Sequence, residues 1–178
     1  NILLGLHFHI RKHIRSNILW KKPIPRAVHN SPVINGNRVF FTGGDKEARE
    51  LFCYDLTSGE QLWSMQATNI PGSPATPPAV TEDTGLASSS VATDGKHVCA
   101  IFATGDLLCA DMEGKRVWAK NLGVPDNHYG FVSSLLIYGN TLYVQYDNNK
   151  DPQLFALDVE TGNTRWVKKR TGKICWSS

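Results

Sequence analysis

The strongest constraint on this chain is a hairpin written three times. LFCYDLTSGEQLW occupies 51–63, LLCADMEGKRVW 107–118 and LFALDVETGNTRW 154–166. Each copy begins with alternating apolar residues, reaches an aspartate (Asp55, Asp111, Asp158), turns on a glycine (Gly59, Gly114, Gly162) and closes on a tryptophan (Trp63, Trp118, Trp166). Copies at intervals of roughly 45–55 residues mark a repeat architecture, in which each unit buries its apolar surface against a neighbour. The period-two pattern predicts strands with one buried face. An aspartate at the turn can accept hydrogen bonds from backbone N–H groups, and glycine supplies the positive φ that the loop demands. The indole offers a broad flat surface with one N–H that needs an acceptor.

Each hairpin is preceded by a second one. Ser31–Asn35 and Arg38–Thr42 flank a Gly36–Asn37 turn, Ser89–Thr93 and Lys96–Phe102 flank Asp94–Gly95, and Ser133–Ile137 and Thr141–Tyr146 flank Gly139–Asn140. Asn-Gly and Asp-Gly pairs between apolar runs are hairpin signals. The chain therefore divides into four-stranded antiparallel units over about 29–66, 87–122 and 130–168, with the opening of a further unit at 173–178. Ile18–Leu19–Trp20 matches the closing strand of a unit whose earlier part is absent. The Pro-, Thr- and Ser-rich stretch Ala67–Leu86 reads as a long loop within one array. Units of this kind are the blades of a β-propeller, so the expected fold class is all-β, with about three blades of a larger ring. Residues 17–178 form the repeat segment, and residues 1–16 lie outside it.

Composition narrows the function classes. With 178 residues and 41% apolar content the chain can build a sizeable core, and no apolar run approaches membrane-spanning length. It starts on Asn1 rather than Met, which suggests a piece of a longer protein. The net charge of +3 is concentrated early: seven basic residues precede the first carboxylate, Asp45. That arm lacks the aromatic interleaving that stacks on single-stranded bases, so it reads as a solvated segment and nucleic acid is not the expected partner. His7, His9 and His13 have no carboxylate or cysteine close in sequence to complete a tetrahedral metal site, and no metal is expected there. No nucleophile motif is present.

Ala156, Asp158, Thr161, Gly162 and Trp166 together resemble the tryptophan-docking motif of the pyrroloquinoline-quinone (PQQ) repeat, which occurs in quinoprotein dehydrogenases and in non-catalytic relatives. Cys53 and Cys109 take the alanine position in the other two copies. The resemblance spans about residues 17–178. It implies that each indole docks on the neighbouring blade, that seven or eight blades close the ring, and that the protein is exported to the periplasm or beyond. In catalytic relatives it implies a PQQ cofactor over the propeller axis with calcium, a catalytic aspartate and, in many, a disulfide between adjacent cysteines. Adjacent cysteines are absent here, and Asp147–Asn148–Asn149 is the most oxygen-rich stretch.

These readings favour a non-catalytic PQQ-like segment of an exported bacterial protein, with no catalytic residue and no resident cofactor, acting as a protein-binding or assembly scaffold. The alternative is part of a PQQ-dependent quinoprotein dehydrogenase, with PQQ and calcium. Partners would be other proteins and the remaining blades. The loops leading into each blade's first strand gather near the axis and carry the candidate binding residues: His29 and Asn30, then Asn127, His128 and Tyr129, then Arg170 and Trp176. No CxxC spacing occurs, so the four cysteines read as structural, Cys53 and Cys109 on buried strands, with a disulfide among Cys53, Cys99, Cys109 and Cys175 left open.

Overall fold

The computed structural model describes residues 18–175 together with the backbone of 2–5. His7, His9, His13 and Trp176, and the end of the stretch expected to open a further blade, lie outside the described residues. The described elements are all strands. Two of them, β1 (Ile2–Gly5) and β2 (Ile18–Lys22), pair antiparallel. Ile2–Gly5 belongs to the stretch placed outside the repeat, yet it hydrogen-bonds to the Trp20 strand.

Three four-stranded antiparallel sheets follow, each a simple meander. Blade 1 contains β3 (Val33–Asn35), β4 (Arg38–Gly44), β5 (Arg49–Asp55) and β6 (Gln61–Gln66). Blade 2 contains β7 (Ala92–Thr93), β8 (His97–Ile101), β9 (Asp106–Asp111) and β10 (Arg116–Asn121). Blade 3 contains β11 (Leu136–Tyr138), β12 (Thr141–Tyr146), β13 (Gln153–Asp158) and β14 (Thr164–Lys169). This is the architecture of part of a β-propeller.

The first strand of each blade is shorter than its sequence pattern suggests. Ser31, Ser89 and Ser133 were expected to start strands that begin at Val33, Ala92 and Leu136. The reason is visible in the side-chain bonds. Ser31 N–H donates to Ser90 Oγ, Ser89 Oγ donates to the Ser133 carbonyl, and Ser133 Oγ donates to the Cys175 carbonyl. These residues stitch one blade to the next instead of extending the ladder within a blade.

The expectation of one buried face per strand is also corrected. The middle strands are buried on both faces: Val39 to Gly44 and Glu50 to Tyr54 are all buried. Alternate residues divide between two seams. Phe40, Leu51 and Cys53 join Val98, Ala100 and Leu108 in the core between blades 1 and 2. Val39, Phe41, Phe52 and Tyr54 face the opposite way, onto Ile24 and Val28. Cys99, Ile101, Leu107 and Cys109 join Leu142, Val144 and Leu157 between blades 2 and 3. Strands covered on both sides read as near-continuous apolar runs, as LFCY does.

Each meander has two ends. The hairpin end carries the β3–β4 and β5–β6 turns and their equivalents. The other carries the β4–β5 loops and the connections between blades, including the long 67–91 segment, and is called the strap end below.

Candidate functional site

At the hairpin end every aspartate of the repeated motif organises its own turn. Asp55 Oδ1 accepts from the N–H groups of Thr57 and Ser58, Asp111 Oδ1 from Glu113 and Lys115, and Asp158 Oδ1 from Glu160 and Thr161. The Ser58 N–H bond holds the Asp55 carboxyl below its ordinary pKa. Hydrogen bonding to Arg165, 2.7 Å away, does the same for Asp158.

The indoles then cross the seams. Trp20 Nε1 donates to the Leu56 carbonyl at 2.8 Å, Trp63 Nε1 to Met112 at 2.9 Å and Trp118 Nε1 to Val159 at 2.8 Å. Each ring lies on the turn glycine of the next blade. A Cβ on Gly59 would fall 2.4 Å from the Trp20 ring, and one on Gly114 or Gly162 would fall 2.6 Å from Trp63 or Trp118. With φ of 84° at Gly114, the glycine answers two demands at once, left-handed backbone and ring contact. Trp166 is different. It is 44% exposed, its one aromatic neighbour among the described residues is Tyr143 of its own blade, and all of β14 is exposed.

At the strap end the candidate residues meet separate fates. The Asn30 amide donates to the Thr42 carbonyl (2.7 Å), to Thr42 Oγ1 (2.9 Å) and to the Ala87 carbonyl (2.7 Å), which ties blade 1 to the lead-in of blade 2. His29 is exposed, with its ring against Gly85. Asn127 is buried and caps its own loop by accepting from the Tyr129 N–H. The His128 and Tyr129 rings are in contact, with centroids 3.9 Å apart and planes tilted by 42°, and His128 is exposed. Arg170 Nε donates to Asp147 Oδ1 at 2.8 Å. Asn30 and Arg170 are thus engaged in holding loops, and the His128–Tyr129 pair is the part of this set that presents an aromatic surface.

Sequence reasoning missed the most buried charge. Asp106 is fully buried and accepts from Ser73 Oγ (2.8 Å), Thr104 Oγ1 (2.7 Å) and Asn121 Nδ2 (2.7 Å), with Arg49 of blade 1 at 3.7 Å. Ser73 comes from the 67–91 segment, and Thr81 of the same segment donates its N–H to the His128 carbonyl. That segment is therefore a strap from blade 1 across blade 2 to blade 3. Nothing in the local pattern of Asp106, an aspartate after a glycine, separates it from an ordinary turn residue. Arg26 was also counted in a solvated basic arm. Its guanidinium is 19% exposed and pairs with Asp45 at 2.7 Å and Glu50 at 3.5 Å. Burial works against the Asp45 carboxylate, but hydrogen bonds from Arg26 and two turn N–H groups outweigh it and lower its pKa.

A PQQ and calcium site would need six or more oxygen ligands at one place. The oxygen-rich groups here are already committed. Asp147 is held by Arg170 and Gln145, Asn148 Oδ1 by the N–H groups of Lys150 and Asp151, and Asp106 by its three donors. No three His, Cys, Asp or Glu side chains among the described residues come together to hold a metal ion. The described residues do not fit that group. All four cysteines are thiols, three of them buried. Cys99 and Cys109 face each other across β8 and β9, and burial holds the Cys99 thiol far above its ordinary pKa.

With the geometry in place, comparison with known proteins decides the family. The model of the PQQ-like family described as outer membrane protein assembly factor BamB matches residues 16–129 and 54–175. The chain belongs to this family. No curated protein sequence matches. Among solved structures, BamB from Moraxella catarrhalis is 15% identical with a TM-score of 0.60, covering 88% of this chain and 43% of that one. A europium-containing methanol dehydrogenase is 16% identical with a TM-score of 0.61, covering 86% and 27%. The computationally designed Ika4 protein is 11% identical with a TM-score of 0.56, covering 88% and 81%. At these identities the likeness is one of fold. The chain spans less than half the length of the BamB and methanol dehydrogenase chains that it matches. Among the described residues no helix is long and apolar enough to cross a membrane.

Proposed function

We propose that this chain is a non-catalytic PQQ-like propeller segment that serves as a protein-binding or assembly scaffold in an exported bacterial protein, at the periplasmic side of the outer membrane. The observation that carries this reading is the commitment of the strap-end polar groups. Asp106, Asp147, Asn30 and Asn148 spend their hydrogen-bonding capacity on holding loops and neighbouring blades. A cofactor site needs convergent, unspent groups, whereas a scaffold needs rigid loops that present a surface. The description of the family model as an assembly factor points the same way. The remaining blades of the same propeller are the partners of the open face of blade 3, and His128 and Tyr129 supply an aromatic patch for a protein surface.

The test uses the full-length protein incubated with PQQ and Ca²⁺. The scaffold reading expects no cofactor absorbance after desalting and no dye reduction with an alcohol or sugar. Retained absorbance together with dye reduction would overturn it in favour of a quinoprotein dehydrogenase.

A further inference from the structure

At the hairpin end of the seam between blades 1 and 2 a cleft of about 570 Å³ opens to solvent. It is walled by three turns, which bring together Asn35, Arg38, Gly95, Lys96, Met112 and Glu113. Its polar groups differ from those of the strap end in being largely uncommitted. The Arg38 guanidinium is anchored through one N–H to the Met112 carbonyl, which also accepts from Trp63. Its other terminal nitrogen faces Glu113 at 3.5 Å, a loose pair whose glutamate is 75% exposed and free to swing away. The Lys96 ammonium has no ion-pair partner, and the Asn35 amide makes no hydrogen bond, among the described residues. That amide lies over Gly95, where an added Cβ would be 3.7 Å from both its nitrogen and its oxygen.

The corresponding turns of the next seam have the opposite character. Asp94 stands where Asn35 does and His97 where Arg38 does, and the two pair with each other at 3.0 Å. Asn140 and Glu160 take the places of Lys96 and Glu113. The first seam therefore offers a fixed guanidinium, an ammonium and an amide to an incoming anion, and the second offers carboxylates.

We propose that the cleft between blades 1 and 2 binds a carboxylate-bearing segment of a protein partner, with Arg38 and Lys96 as the charge-recognising residues and Asn35 as a hydrogen-bonding neighbour. An arginine held by one N–H presents the rest of its fork in a fixed direction, which suits a carboxylate. The displaced partner is the exposed Glu113, so the exchange replaces one carboxylate by another at little cost. The proposal rests on the scaffold reading in one respect, that the ligand is a protein segment.

The experiment titrates the full chain with a hexaglutamate peptide, and with hexaglutamine as control, while following backbone amide NMR signals. Saturable shifts are expected at Gly36, Gly95 and Lys96 and not at Gly139 or Asn140. They should be absent with hexaglutamine and fade at about 0.5 M salt, where charges are screened within a few ångströms. Lys96→Glu should weaken binding by about tenfold through charge reversal. Asn35→Asp, which imports the residue of the second seam, is a second surface variant expected to act in the same direction. No shifts at millimolar peptide, equal shifts at both seams, or binding unchanged by either substitution would overturn the assignment. PQQ retention measured on the same sample keeps the two readings apart. Cofactor retention counts against the scaffold reading alone, and missing peptide shifts count against the cleft alone.

Discussion

The indole seams at the hairpin end use one set of contacts repeatedly, whereas the charged pairs at the strap end draw their arginines from a different place each time, even where Glu50 and Asp106 share a register position. Trp20, Trp63 and Trp118 each donate to a carbonyl one blade on and each cover a turn glycine. At the strap end Arg26 meets Asp45 and Glu50, Arg49 meets Asp106, and Arg170 meets Asp147. The first arrangement is geometry common to every blade, so it can be copied. The second depends on loops of different length, and on a strap that occurs once. A repeat protein can keep constant the contacts that its shared blade geometry sets, and vary those that depend on its loops.

Substitutions at the two ends test this difference. Trp118→Ala removes ring contact with Gly162 and leaves the Val159 carbonyl with only the weak Cys109 thiol as donor, and should cost about 3 kcal/mol in a urea titration. Trp166→Ala, at the uncovered face, should cost under about 1 kcal/mol, because much of that ring is already in water. Equal costs would break the claim that docking gives the indole its energetic weight. Asp106→Ala at the strap end should cost about 2–3 kcal/mol, since it strands three hydrogen-bond donors and Arg49 in a buried place. It should also raise amide exchange across 67–91, whereas Trp118→Ala should raise it along β10 and β13.

Gly114→Ala has a sharper signature than its size, about 1–2 kcal/mol. Its added methyl strikes the Trp63 ring, so the cost should shrink when Trp63 is already alanine. Additivity of the two substitutions would contradict ring contact at that glycine.

Acid should act more gently, and at both ends, since Asp45 as well as Asp55 and Asp158 is held below its ordinary pKa. Asp55 and Asp158 have folded pKa values below their unfolded ones, so each contributes stability that is complete above the unfolded value of about 3.9 and is lost as pH falls through the folded value. Asp158→Asn should therefore flatten the decline of stability below about pH 4 and leave the slope near neutrality unchanged. The smallest effect is chemical. Burial pushes the Cys53 thiol up to about 11, so at pH 8 iodoacetamide should label the exposed Cys175 first and leave Cys53 unreacted until the chain unfolds.

Much of the fold is legible in the residues because its determinants are local. The Asp-to-Gly turns, the Asn-Gly and Asp-Gly hairpins and the apolar alternation each act within a dozen residues, and they place nine of the twelve blade strands, in the three repeated hairpins and in β4, β8 and β12. The candidate site was less legible. Asn30 looked like a recognition residue and is consumed by Thr42 and Ala87; Asp106, at the head of the second repeated hairpin, drew no functional reading and is fully buried. What decides their roles is which groups another blade brings within hydrogen-bond reach.

The sequence by itself determined that this protein would fold as repeated meanders with an indole on each closing strand, because turn stereochemistry and period-two hydrophobicity are properties of short segments. Tertiary structure alone decided that the middle strands are covered on both faces and that a strap pins blade 2 through Asp106. It also decided that the seam beneath Arg38 and Lys96 stays open. Those outcomes depend on residues far apart in the chain arriving at the same place, and on the dielectric and the partners they find there.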